Sequence, residues 1–401
     1  MAKKRKPPKD IDQLLTFAQV FDALEKNDWM PSFIEDLDQE EQRLIDGLRE
    51  SCPDILERPN VKGIGVGFAI RRGTQTPNLA PIVFVSEKVQ IEALKAEEAV
   101  PQKIEIDGKA VKTDVVVLGP FSELQCIAPG VPIENHQRYR PVRPGVAISA
   151  VFNRQPVTKG TGGAIVRRIG GDPTDPNDPL FLLSVRHVLS DQLRRLDIMQ
   201  PWLGDPRTDI IGQTRVLLVN DDAGIASIEQ GDPDIVCIGR PNPPLPPLVG
   251  MPVQKSGAGT GHTGSEIQYT KLTIPQLAGT NDFLVTNDAS FPPPVPGGGA
   301  INNFATGGDS GALTVLGDPA NPANFGQRIN NVINRFLVFV PGMFRNTVRR
   351  LVQQRLQRSA LGLTVSVAQL VIQQGTAFTA VRVARCLEIR IALDQLGVTL
   401  V

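Results

Sequence analysis

The chain has 401 residues, room for two or three ordinary domains, and hydrophobic residues make up 41 % of it, enough for buried cores. Aromatics reach only 5 %, while 37 glycines and 34 prolines favour short strands joined by many turns over long helices. No stretch approaches eighteen consecutive apolar residues, which argues against a transmembrane helix, and the formal net charge is zero.

In chain order, the basic opening Met1-Ala-Lys-Lys-Arg-Lys-Pro-Pro-Lys9 has no apolar run behind it of the kind a secretory signal carries. Cys52, Cys126, Cys237 and Cys386 are widely scattered, without disulfide-scaffold density or CxxC metal spacing. Free thiols in a reducing compartment follow as the expectation, and with them a cytoplasmic location. Leu14, Leu15, Phe17, Phe21 and Leu24 stand at helical spacing over 11–26. A second helix is expected from Ser32, where Glu35 completes a capping box, with Phe33, Leu37, Leu44, Ile45 and Leu48 on its apolar face. Residues 10–57 hold fourteen Asp and Glu against three Lys and Arg. Residues 1–58 therefore read as an acidic helical lead segment, a surface for a second copy or a regulatory partner.

From Val61 the period changes. Val61–Ile70 and Ile82–Val85 read as strands, 89–98 as a helix and Val111–Leu118 as a strand, giving a small α/β domain over 59–120. Residues 121–145 are Pro-rich and read as a linker. Beyond 146, short apolar runs recur between Gly and Pro turns: 164–166, 181–185, 216–219, 225–228, 235–238, 272–274, 283–286 and 312–316. That rhythm predicts a mainly β domain to the C-terminus, a Greek-key sandwich or barrel. Residues 317–358 read as an insertion ending in an Arg-rich helix near 346–358. Nine arginines and no acidic residue lie between Asp318 and Glu388. Ala380, Val383, Leu387 and Ile391, with Gly397 just beyond, predict a terminal helix and its C-cap.

Three segments carry chemistry. Gly307-Gly-Asp-Ser310-Gly-Ala-Leu313 surrounds a serine with glycines, which permit a tight turn presenting a hydroxyl beside free backbone N–H groups. Phe181-Leu-Leu-Ser-Val-Arg-His187 places one of only three histidines at the end of an apolar strand. Asn220-Asp-Asp222-Ala-Gly-Ile-Ala226 offers a carboxylate for the imidazole, with Asp221, Asp232 and Asp234 as competitors. The order His187, Asp222, Ser310 separates this arrangement from hydrolases that place the serine first or the aspartate first.

With those motifs, residues 146–401 resemble the trypsin/chymotrypsin-like serine peptidases, in particular the bacterial branch without disulfides. Thr161-Gly-Gly-Ala164 before the histidine strand, Asp222-Ala-Gly-Ile-Ala226, Lys255-Ser-Gly-Ala-Gly-Thr-Gly-His-Thr-Gly264 and Gly308-Asp-Ser-Gly311 each resemble that family's motifs. The resemblance implies a chymotrypsin-like double β-barrel with the site between barrels and an oxyanion hole from the Gly308 and Ser310 N–H groups. It implies too a specificity-pocket floor at Phe304 with Ala305 beside it, and a substrate-binding strand over 361–367. Asp309 is expected to brace the oxyanion loop. A protein or peptide substrate is the implied partner, cleaved through an acyl-enzyme; an inactive peptidase-fold scaffold or binding protein is the alternative.

No cofactor is indicated. Gly259-Thr-Gly-His-Thr-Gly264 matches GxGxxG, but a strand pattern follows it instead of a phosphate-binding helix. His262 has no second ligand at metal spacing. A pI of about 6.9 and few aromatics make nucleic acid an unsuitable partner for Lys3–Lys9 or the Arg-rich segment.

Overall fold

A computed structural model describes residues 30–71, 74–89, 95, 99–123, 133–172, 175, 178–192, 194–275, 280–287, 303–317, 356–374 and 377–401. The expected helix at 11–26, and nearly all of the expected helix at 89–98 and of the insertion at 317–358, lie outside the described residues. The molecule is mainly β, with a helix ahead of the strands. Among the described residues no helix is long and apolar enough to cross a membrane.

Helix α1 spans Met30–Ser51, starting two residues before the expected Ser32 cap. Pro31 suits a first turn, where its missing N–H is not needed. Ile45 and Leu48 of α1 pack on Ile64, Val66 and Phe68 of strand β1 (Val61–Arg71) and on Val83 and Val85 of β2 (Thr74–Val85). The hairpin of β3 (Lys103–Ile106) and β4 (Lys109–Lys112) follows, then β5 (Asp114–Leu118) and β6 (Ser122–Glu123). The expected strand at 111–118 is thus broken at Thr113. Strand β5 runs parallel to β2.

A short helix, α2 (Ile133–His136), leads into the first barrel. Its strands are β7 (Ala147–Phe152), β8 (Gln155–Pro156), β9 (Gly160–Thr161), β10 (Ala164–Arg168) and β11 (Leu180–Val185), then, after helix α3 (Arg186–Leu189), β12 (Asp197–Met199), β13 (Ile210–Leu217) and β14 (Ala223–Ile228). The sheet order is β10-β11-β14-β13-β12-β7. Strand β9 pairs with β7 and runs through Gly162 and Gly163 into β10, which closes the sheet on itself. Alternating apolar residues from these strands, among them Ile148, Ile165, Leu182, Ile198 and Ile225, fill one core.

The second barrel uses β15 (Pro252–Gly257), β16 (Gly261–Thr273), β17 (Thr280–Thr286), β18 (Leu313–Leu316), β19 (Ala360–Gln374) and β20 (Ala377–Glu388). The antiparallel pairings β15–β16–β17–β20–β19–β18–β15 form a closed six-stranded ring. Helix α4 (Ile389–Leu396) ends at Gly397, whose φ of 65° caps it, and β21 (Val398–Leu400) returns to β10. The lead strands share this second sheet. β1 pairs with β16, while β5 and β6 pair with β19.

Two sequence expectations are corrected. The pattern at 380–387 belongs to β20, not to a helix. β19 pairs with that segment along its length and β17 pairs with Val383–Cys386 on the other edge, and these ladder bonds outweigh an apparent helical spacing in a Val-rich run. Residues 235–238 form a turn, with Cys237 at φ 65°, instead of a strand.

The lead helix is also tied to the second barrel by its acids. Buried Glu41 accepts from the Val249 N–H at 3.0 Å and the Thr270 hydroxyl at 2.6 Å, and Asp38 pairs with Lys271. Part of the acidic charge seen in the sequence is therefore used inside the fold.

Candidate active site

Each barrel contributes one part of the site. α3 follows β11 directly, so His187 stands at the end of a first-barrel strand whose neighbours Val188 and Leu189 are fully buried. The Thr158 and Thr214 hydroxyls donate to the Val188 and Leu189 carbonyls at 2.5 and 2.8 Å and pin that turn in place.

Asp222 lies in the β13–β14 turn at φ 46°, a left-handed conformation that Asp tolerates better than most residues. Its carboxylate accepts from His187 Nδ1 at 2.7 Å and from the His187 backbone N–H at 3.2 Å. Its own carbonyl accepts from the Arg186 N–H at 2.9 Å, and Arg186 Nε stands 3.6 Å from Oδ1. One residue thus fixes the imidazole, its peptide and the peptide before it. With Nδ1–H given to the carboxylate, Nε2 carries the free lone pair. Among the expected competitors, Asp232 pairs with Arg143 at 3.3 Å, and Asp221 is buried, with no hydrogen bond to the ring among the described residues.

Ser310 precedes β18 of the second barrel. Its carbonyl accepts from the Thr161 N–H of β9 at 2.8 Å, so the serine loop is stitched to the barrel that carries His187. Gly160 lies between: a Cβ there would stand 2.3 Å from Val188 and 2.8 Å from the Ser310 carbonyl oxygen, so this approach requires glycine. The Ser310 hydroxyl donates to the Val365 carbonyl at 3.3 Å; among the described residues no hydrogen bond joins it to His187. Ser310 is 1 % exposed.

The N–H groups of Thr306, Asp309, Gly311 and Ala312 all have acceptors. Those of Gly308 and Ser310, between them, donate to nothing among the described residues. Gly308 takes φ 96°, and its carbonyl is turned away onto the Thr161 hydroxyl at 2.7 Å. Two unpaired N–H groups beside a serine make a cradle for a developing oxyanion.

Beneath this loop Asp309 is fully buried. It accepts from the N–H groups of Gly259 (2.9 Å), Thr260 (3.1 Å) and Thr306 (2.9 Å) and from the Thr260 hydroxyl (2.9 Å). Lys255, also fully buried, places its ammonium 3.2 Å from Asp309 and 5.6 Å from the centre of the Phe304 ring. Burial holds the Lys255 pKa below its usual value, with Asp309 opposing the shift. Phe304 and Ala305 are buried, and their N–H groups are held by Asn287. Lys255 and Thr161 had no assigned role in the sequence; the signal for Lys255 was a long cation inside a run of small residues on a strand.

Among the described residues no cluster of three or more His, Cys, Asp or Glu stands ready for a metal. His262 is bonded to Gln254 at 3.0 Å and His136 to the Ala258 carbonyl at 2.9 Å.

Residues 48–118 match the family model of the NARROW LEAF 1 N-terminal domain, which covers the end of α1 through β5 and not the triad. No curated protein sequence matches the chain. Similar solved structures are bacterial serine proteases. Thermobifida fusca protease A is 14 % identical, with a TM-score of 0.38, over 65 % of this chain and 99 % of that one. The Cellulomonas bogoriensis chymotrypsin is 12 % identical, with a TM-score of 0.34, over 65 % and 98 %. The MamO protease domain of Magnetospirillum magneticum is 9 % identical, with a TM-score of 0.31, over 62 % and 94 %. Likeness at this level says nothing of activity, which rests on the site's own geometry.

Proposed function

We propose that this protein is a serine endopeptidase with Ser310 as nucleophile, His187 as general base and Asp222 as the group that orients it. The observation that carries the reading is the Asp222–His187 bond of 2.7 Å, set beside a serine loop with two unpaired N–H groups. In the proposed cycle the Ser310 hydroxyl leaves Val365 for His187 Nε2. Its oxygen bonds to the substrate carbonyl carbon while its proton passes to Nε2, and the carbonyl oxygen, now negative, takes the Gly308 and Ser310 N–H groups. Collapse breaks the C–N bond, and the leaving amine takes the proton from His187. Water, deprotonated by the same imidazole, then hydrolyses the acyl ester. Asp222 stabilises the imidazolium in both halves.

A fluorophosphonate probe tests the reading, since Ser310 attack on phosphorus expels fluoride and leaves a stable adduct. Labelling lost in Ser310→Ala and His187→Ala supports it; labelling that survives Ser310→Ala overturns it. The rival reading, an inactive scaffold that binds peptides, draws on the buried serine and its bond to Val365. Peptide binding without labelling or cleavage would favour that rival.

A further inference from the structure

Strand β19 has two different edges. β20 covers one along nearly the whole strand, from Gly362 to Gln374. β18 covers the other only as far as Leu363, after which the backbone reaches the serine loop: the Gly311 N–H donates to Thr364 at 2.8 Å, and Ser310 bonds to Val365. An extended peptide presenting its carbonyl to Ser310 would find its backbone partners on the next residues of this edge, since adding a strand to an open edge gives main-chain bonds and register together.

That edge is already taken by the chain itself. Ser366 and Val367 pair with Glu123 and Ser122 of β6, the Gly119 N–H donates to the Gln369 carbonyl at 2.7 Å, and Leu370 and Val371 pair with Leu118 and Val117 of β5. The pairing is antiparallel, so the segment runs along β19 from Val371 towards Val365 and the nucleophile. Its two halves are held very differently. β5 is anchored by its parallel ladder to β2 and by buried Val116 and Leu118. β6 has two residues, a pairing worth little more than a hydrogen bond or two. A tether from β5 nevertheless keeps it at a high effective concentration beside the edge.

Resting on the reading of Ser310 as nucleophile, we propose that Ser122–Glu123 competes in cis with substrate for the Ser366–Val367 edge. An extended peptide docks by displacing β6 while β5 stays in place. The partner this surface fits is an unfolded segment able to add as an antiparallel strand.

The test uses the full chain with Ser122→Pro and Glu123→Pro together, which removes both N–H donors from β6. Peptide cleavage is compared with hydrolysis of p-nitrophenyl acetate, an ester too small to need the edge. If β6 is docked nine-tenths of the time, its loss lowers the KM for a peptide about tenfold at unchanged kcat. Ester hydrolysis stays the same. A peptide of sequence Pro-Phe-Ser-Glu, residues 120–123, should then inhibit the variant competitively towards peptide and not towards ester. Unchanged peptide KM in a variant that keeps its melting temperature and ester activity overturns the competition. If the double variant melts early, Glu123→Pro alone is read by the same peptide-to-ester ratio. Absence of ester hydrolysis and of fluorophosphonate labelling in the parent protein overturns the nucleophile assignment instead.

Discussion

Lys255 places its ammonium 3.2 Å from the Asp309 carboxylate, and neither side chain exposes any surface. The pair lies directly under the serine loop. Asp309 precedes Ser310 and gathers donors from both the 259–260 turn and Thr306, so the shape of the loop depends on this buried carboxylate. Removing one partner of a buried ion pair strands the other. Lys255→Met should therefore cost about 3–5 kcal/mol of unfolding free energy in urea. Adding Asp309→Asn should not restore it: each carboxylate oxygen accepts from a backbone N–H, and the asparagine amide nitrogen would face one of those donors as a second donor. A single variant that costs less than about 1 kcal/mol would show that the backbone donors alone satisfy Asp309.

Asp222 acts on His187 at the ring and at the peptide, and the substitution to asparagine separates these roles. Asparagine keeps the shape but can donate to Nδ1, favouring the tautomer with its proton on Nε2, which cannot take a proton from serine. Asp222→Asn should lower kcat on a peptide substrate by about ten-thousand-fold at neutral pH. Asp221→Asn, which leaves the imidazole untouched, should cost less than about tenfold. Reversed outcomes would move the orienting role to Asp221.

Much of this site was legible because each of its residues sits in a local pattern that fixes its own backbone. The apolar run 181–185 demands a strand and delivers His187 at its end. The acid-Ala-Gly pattern marks the turn into β14, and the glycines about Ser310 mark a turn that only glycine permits. The closure of the second barrel was less legible. Its partners are far apart in sequence, and the ladder made a strand of 380–387 where local spacing had suggested a helix. The joining of β1, β5 and β6 to the second barrel left no local trace, because an edge pairing of backbone groups asks nothing particular of the side chains. A buried Lys255 is legible only as an oddity, a long cation where its neighbours are small.

Specificity beside the scissile bond should be apolar. Phe304 is buried at the position expected for the pocket floor, and the cation behind it, Lys255, is already committed to Asp309. A lysine or arginine side chain entering there would find no free carboxylate among the described residues beside Phe304 and would stand near a like charge, a costly burial. A peptide library should therefore be cleaved after small or medium apolar residues, with kcat/KM at least about a hundredfold above Lys or Arg. A profile dominated by basic residues would refute the pocket assignment.

Glu266 supplies a pH test that does not touch catalysis. It sits on β16 opposite Pro252, and burial pushes its carboxyl from 4.5 up to about 7. The folded protein thus holds this proton more tightly than the unfolded chain does. Its contribution to stability is fully present below pH 4.5 and is lost as pH rises towards 7 and beyond. Asp282, pushed to about 6 by burial against the opposing pull of Arg385, adds a slope of the same sign, so the wild-type profile alone cannot separate the two. Glu266→Gln isolates one of them. Glutamine matches the protonated acid in shape and never ionises, so the variant and the parent should have equal unfolding free energies at pH 4. At pH 8 the variant should be the more stable, by about 1–2 kcal/mol once the partial exposure of the side chain is allowed for. Urea denaturation at the two pH values measures this directly. A variant that is less stable than the parent at pH 8 would mean that the ionised Glu266 is held by a favourable partner instead of being penalised by burial.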